Sequence, residues 1–312
     1  MKKSISSQFE WAVQSYEAGS YSEAIERFEK LRKEGAEVPE YDLILFYLGM
    51  SHHKTGENLK AAGELEAFLK AGQQRQESQD ARISLLLCYE RLSRWKDSAS
   101  LAAETDKLTL FQYNRALLKL LWARALAEQG EIQGAKVVLE DAVAYLDKVG
   151  GDDKAIPFYA NPDEDLWGRY HFSSVLMAAR TCPSTQPKVI NKKKTLYVPW
   201  LESVTDCLRT ALTHASQELF VKDNAWSEKA GAELHSAVEA FGLKIQANVK
   251  KEEASLAGRQ ALQKSAAENL YRLLGTMDEH LKIFKNRGVG SPSLESLRKQ
   301  LDRLLMAISS PS

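Results

Sequence analysis

The chain has 312 residues, 44% of them apolar and 27% charged, with 42 basic side chains matched by 42 acidic ones. That is enough apolar sequence to bury a core, and the charge balance removes any global field that would draw the chain to nucleic acid or to an anionic membrane. No apolar run approaches the roughly 18 residues of a membrane span.

Met1-Lys2-Lys3 opens like a secretory leader, yet no apolar stretch follows and Glu10 falls where one would lie. The cysteines Cys88, Cys182 and Cys207 show no CxxC or CxxH spacing. An odd set of this kind suits a reducing compartment. A cytoplasmic location is expected.

In chain order, the first pattern is a repeat. The columns Gly19/Tyr21/Ala24/Phe28, Gly56/Asn58/Ala61/Leu65, Ser93/Trp95/Ser98/Ala102 and Gly130/Ile132/Ala135/Leu139 recur at a step of 37 residues (19, 56, 93, 130). Ala12, Gly49, Leu86 and Ala123 stay in phase upstream, as do Leu31, Phe68, Thr105 and Ala142 downstream. Each unit splits into two segments with apolar residues at i, i+3 and i+4 around its Gly, which predicts helix, turn, helix. Pro39 is expected to start a helix, and Gly35 and Gly72 to stop one. The small residues let two helices approach and the bulky ones fill the groove between them. One such hairpin cannot cover its apolar faces alone, so four are expected to stack.

These elements resemble the tetratricopeptide repeat family over residues about 5–146. The period of 37 departs from the family's 34, the third unit (Ser93, Ser98, Ala102) is degenerate, and a proline that usually ends the unit is missing. The resemblance implies a concave surface built from the first helix of each pair, on which another protein binds. The matching positions are Phe9, Val13 and Tyr16, then Phe46, Met50 and His53, then Ile83, Leu87 and Glu90, then Leu120 and Arg124. That groove is apolar. Members that hold carboxylated chaperone tails use a clamp of lysines, asparagines and an arginine. The matching positions here are Phe9, Val13, Tyr47, Asp80 and Ser84, so no such tail is expected.

After Tyr145 the pattern stops. A loop through Gly150-Gly151 and Asn161-Pro162 feeds a helix with Leu166, Trp167, Tyr170, Val175 and Met177, expected to cap the last repeat. Residues 181–198, with Pro183, Pro187, Lys188 and Lys192-Lys193-Lys194, read as a long basic loop. Helices follow at Pro199 to about Val221, Ala225 to about Val249, Glu252 to about Asn286, and Leu294 to about Ile308. The last shows Leu294, Leu297, Leu301 and Leu304 as a single stripe behind the start signal Ser291-Pro292. The predicted fold class is therefore all-α. It comprises a tetratricopeptide-like array over 1–146, a loop and capping helix over 147–180, a basic loop over 181–198 and a helical bundle over 199–312.

Catalytic signatures fail one by one. No Walker loop, GxSxG, HExxH or helix-opening GxGxxG is present, and Gly288-Val289-Gly290-Ser291 joins two helices. His52 and His53 are neighbours on one helix, about 100° apart, and cannot share a metal. His171, His214, His235 and His280 stand singly in the sequence. No cofactor or metal is expected, and Asp163-Glu164-Asp165 reads as a helix N-terminus favoured by the dipole. The expected function is a non-enzymatic adaptor that binds a partner helix or extended peptide in the apolar groove. The alternatives are self-assembly through residues 199–309, an enzyme or sensor with its site in the C-terminal half, and a groove filled by the chain's own helices.

Overall fold

The structure is a computed structural model that describes residues 5–33, 41–71, 76–108, 110–149, 166–182, 185–190, 194–220, 225–251 and 256–309. It divides into two compact units, 1–164 and 165–312. The starts and stops expected at Gly35, Pro39 and Gly72, the stretch 150–165 with its acidic run, and Lys192 and Lys193 lie outside the described residues.

Among the described residues, the first unit holds four helical hairpins. They are α1 (Ile5–Glu17) with α2 (Tyr21–Lys33), α3 (Tyr41–Lys54) with α4 (Asn58–Ala71), α5 (Ser78–Arg91) with α6 (Trp95–Thr105), and α7 (Gln112–Glu128) with α8 (Ile132–Val149). Each turns on the same residue of the 37-residue step. Gly19, Gly56, Ser93 and Gly130 have φ of 76°, 82°, 55° and 84°. Each donates its N–H to the carbonyl three residues back, as from Gly56 to His53 (3.2 Å), and the next residue donates five back, as from Glu57 to His52 (2.8 Å). The same two bonds close at Ser93 (to Glu90, 3.1 Å) and Arg94 (to Tyr89, 2.8 Å). This is a Schellman closure, which satisfies the last carbonyls of the first helix while reversing the chain.

The second helix of each pair then buries one stripe: Ala24, Phe28 and Leu31 on α2; Ala61, Leu65 and Phe68 on α4; Ala135, Leu139 and Ala142 on α8. The small column works as expected. Ala24, Ala61 and Ala135 are fully buried and Ser98 is nearly so. At Gly49 the approach is closest, because a Cβ there would stand 2.7 Å from Cγ of Leu65. In the third unit the sizes at the corresponding positions are reversed: Leu86 takes the place of Gly49 and Ala102 that of Leu65, both fully buried. That inversion accounts for the small residue at Ala102, where the other repeats carry Phe28, Leu65 and Leu139.

Beyond Ala102 the unit closes with charge. Asp106 accepts from Arg115 (2.9 Å) and Lys119 (3.0 Å), and Lys119 also reaches Asp141 (2.6 Å). Burial opposes the Lys119 ammonium, but its bonds to Asp141 and Asp106 outweigh that and hold its pKa above the usual lysine value.

The second unit contains α9 (Leu166–Thr181), a ribbon of β1 (Lys188–Ile190) and β2 (Lys194–Leu196), then α10 (Tyr197–Glu218), α11 (Ala225–Lys251), α12 (Leu256–Asn286) and α13 (Pro292–Ser309). The stretch expected as a loop thus carries a short antiparallel ribbon, with Val189 opposite Thr195. It is pinned at its base, where Trp200 Nε1 donates to the Thr185 carbonyl at 3.1 Å. The helix expected to cap the last repeat packs on α10 and α11 and belongs to this unit.

The stripe on α13 is Leu294, Leu297, Leu301, Leu305 and Ile308. Leu304 leans on Gly242 of α11, where a Cβ would stand 2.5 Å from its Cδ1. Cys182 and Cys207 are joined by a disulfide, while Cys88 is free and buried. The odd cysteine count therefore hid a pair, and the premise for a reducing compartment falls, since such bonds persist in oxidising surroundings. Among the described residues, no helix is long and apolar enough to cross a membrane.

A side chain in the left-handed region costs about 1 kcal/mol or more. Ser93→Gly is accordingly expected to raise stability by up to about 1 kcal/mol and Gly56→Ala to lower it by at least about as much. Urea unfolding of both variants checks this.

Candidate functional site

The inner helices of the array differ from the outer ones. Buried positions run without a break from Leu48 to His53 on α3, from Ile83 to Tyr89 on α5 and from Ala116 to Leu121 on α7. Six consecutive residues cover the whole circumference of a helix, so these helices are packed on every side. Their neighbours show why: α3 packs on α1, α2, α4 and α5, and α5 packs on α3, α4, α6 and α7.

This closes most of the expected groove. Phe46 is 3% exposed and Met50 fully buried. Tyr16, His53, Ile83, Leu87 and Leu120 are buried as well, while Phe9, Val13, Glu90 and Arg124 are half-buried. The expectation of an open apolar groove through all four units is corrected on this point. Phe46 packs on Phe68 of α4 (5.3 Å between ring centroids). Tyr47 stacks on Phe28 at 5.2 Å and meets Phe9 edge-on at 6.1 Å, joining the first two units. The signal was present in Leu43-Ile44-Leu45-Phe46-Tyr47-Leu48, a run too continuous for a helix with one open face.

The inner column changes character along the array. In the first two units it is aromatic. Between the second and third, His53 Nδ1 and Cys88 Sγ stand 3.4 Å apart in the interior. Between the third and fourth, Arg124 donates to Glu90 at 2.8 Å, with its guanidinium 5.2 Å from the Trp95 ring centroid. Burial, aided by Arg91 and Lys54, lowers the His53 pKa to about 4, and burial raises that of Cys88 to about 12. Both groups are therefore neutral at pH 7, the reverse of an activated thiolate and imidazolium pair.

The second unit holds a polar cleft between α10 and α12, about 560 Å³ in volume. Its walls include Arg209, His214 and Gln217 on one side and Thr276, Glu279 and His280 on the other. His214 also touches His171 of α9, with Nε2 and Nδ1 2.9 Å apart. These two histidines stood singly in the sequence, and the antiparallel pairing of α9 with α10 brings them together. Burial lowers the pKa of His280, against the opposing effect of Glu279. Among the described residues, no three His, Cys, Asp or Glu side chains converge to hold a metal ion.

No family model matches the chain, and no curated protein does. Among solved structures it is similar to one described as the crystal structure of the APC/C hetero-tetramer Cut9-Hcn1, with 13% identity, a TM-score of 0.37, and 97% of this chain and 66% of that one covered. A second is described as the structure of Naa15/Naa10 bound to HypK-THB, with 13% identity, a TM-score of 0.30, and 98% and 53% covered. The chain thus spans just under two thirds of the first and about half of the second. Similarity of this degree assigns neither a family nor a partner.

His53 supplies a pH dependence whose sign is fixed. Its folded pKa lies below that of the unfolded chain, so its contribution is present above about pH 6.5 and is lost as pH falls toward 4. The loss is expected to be about 3 kcal/mol, and His53→Gln should remove it, as urea unfolding at pH 7, 5.5 and 4 will show. Met50→Ala is expected to cost about 2–5 kcal/mol, in the range of Phe28→Ala, because both side chains are core.

Proposed function

We propose that the chain is a non-enzymatic protein-interaction scaffold in which the helical array receives a partner helix or extended peptide. The observation that carries this reading is the contrast along the inner column. Phe9 and Val13 of α1 remain half-buried where their counterparts Phe46 and Met50 are closed. With Ile5 they form a stripe at i, i+4 and i+8 on α1, partly buried against the core of the first hairpins. A partner helix laid on that stripe would complete its burial, as the flanking helices do for α3 and α5. The disulfide favours an oxidising compartment as the place of action, in preference to the cytoplasm.

The experiment is affinity capture by the intact chain and by Val13→Asp, with thermal unfolding of both. A discrete partner that is captured by the parent and lost from the variant, at little change in melting temperature, supports the reading. Equal capture by both, or none by the parent, overturns it.

One observation favours self-association through the C-terminal helices as a second reading. Leu243, Tyr271 and Met306, on three packed helices of the second unit, are 61%, 62% and 70% exposed. Light scattering of the intact chain and of Leu243→Glu/Met306→Glu decides: a dimer that becomes a monomer establishes it, and a monomeric parent removes it.

A further inference from the structure

In the second unit, α9 and α10 are fastened at two points. The disulfide joins Cys182, just past the end of α9, to Cys207 within α10. The imidazoles of His171 and His214, 43 residues apart in sequence, meet at 2.9 Å. His171 lies back along α9 from Cys182 and His214 lies forward along α10 from Cys207, so the helices are antiparallel. At 1.5 Å per residue the two fastenings are roughly 10–16 Å apart. The covalent one is fixed. The other depends on a proton.

We propose that the His171–His214 contact is a proton-operated latch between α9 and α10, with the Cys182–Cys207 bond as its pivot. An N–H of one ring donates to the bare nitrogen of the other, so the pair needs one donor and one acceptor at the facing nitrogens. A first added proton leaves this intact and makes the bond charge-assisted. A second places N–H against N–H between two cations, and the bond is lost. The protons therefore come off the pair in two separated steps instead of at two independent sites.

The surrounding groups bear on the second step. On α9, Tyr170 stands edge-on to His171 at 5.3 Å, and the Arg169 guanidinium lies over Trp226 of α11 at 5.0 Å. On α11, Lys229 sits over the same indole at 4.4 Å. Across the cleft that His214 lines are Glu279 and His280 of α12, while Arg209 of α10, paired with Asp206 at 3.1 Å, flanks it. Two imidazolium rings with facing nitrogens 2.9 Å apart repel each other, so the second proton favours separation of the helices over a strained closed state. Trp167 stacks on His171 at 5.8 Å and 26°, which puts an optical reporter on the latch.

The test is an NMR titration of the imidazole rings of the full-length chain from pH 8 to 4, assigned with His171→Gln and His214→Gln. Amide exchange and the Trp167 fluorescence difference against Trp167→Phe are followed in parallel. In the parent protein both rings should report the same two separated steps. At the lower step, amide exchange around His171 should quicken tenfold or more while that near Cys182 stays slow. Each variant should leave a lone histidine that titrates in a single step, with no exchange step. Independent single steps for both rings in the parent, or exchange that does not change across them, would overturn the latch. Coupling is read in the parent protein, so the decision stands even if a variant fails to fold.

Discussion

The first unit depends on one backbone constraint: every 37 residues the chain must reverse through the left-handed region. That conformation lets two N–H groups reach back and close the carbonyls of the first helix, and it sets the angle at which the second leaves. Once the angle is set, the small residue five positions on must be small, because the two helices meet there. The bulky residue four positions later must then fill what remains. Ser93 shows that the constraint is conformational. It adopts the same φ region and makes the same two bonds without being a glycine.

Repetition of this reversal has a second effect. It brings the first helices of successive hairpins against one another, so that α3 and α5 each lie between their own partner, the preceding hairpin and the following one. Polar groups that fall on these helices are then enclosed. They persist by pairing locally, as Glu90 does with Arg124, or by staying neutral, as His53 and Cys88 do. The array thus encloses most of its inner surface.

The reversal points, the pairing of helices and the buried small column were legible in the sequence because each imposes a residue type at a fixed interval. How many neighbours a helix has imposes no such interval. Phe46 and Met50 read as a groove because periodicity identifies apolar positions and is silent on what covers them, although the unbroken run through α3 carried that information. The helices of the second unit were legible in extent, from Pro292 and from the stripe on α13. Their mutual register was not. His171 with His214, and Cys182 with Cys207, are products of one antiparallel register that no local pattern encodes. The ribbon at 188–196 was missed because three-residue strands flanked by lysines leave no alternation to detect.

The reversed sizes at Gly49 with Leu65 and at Leu86 with Ala102 bear on how the array could change over time. Repeats are commonly pictured as interchangeable parts that recombination can shuffle. Here the helices of the third unit could not be exchanged singly with those of the second. A hairpin combining the first helix of the second unit with the second helix of the third would face glycine with alanine and leave a void. The opposite combination would force two leucines into space for one. Across the boundary of the third unit only whole hairpins can move, so there the pair carries its lock and key together and is the unit of inheritance.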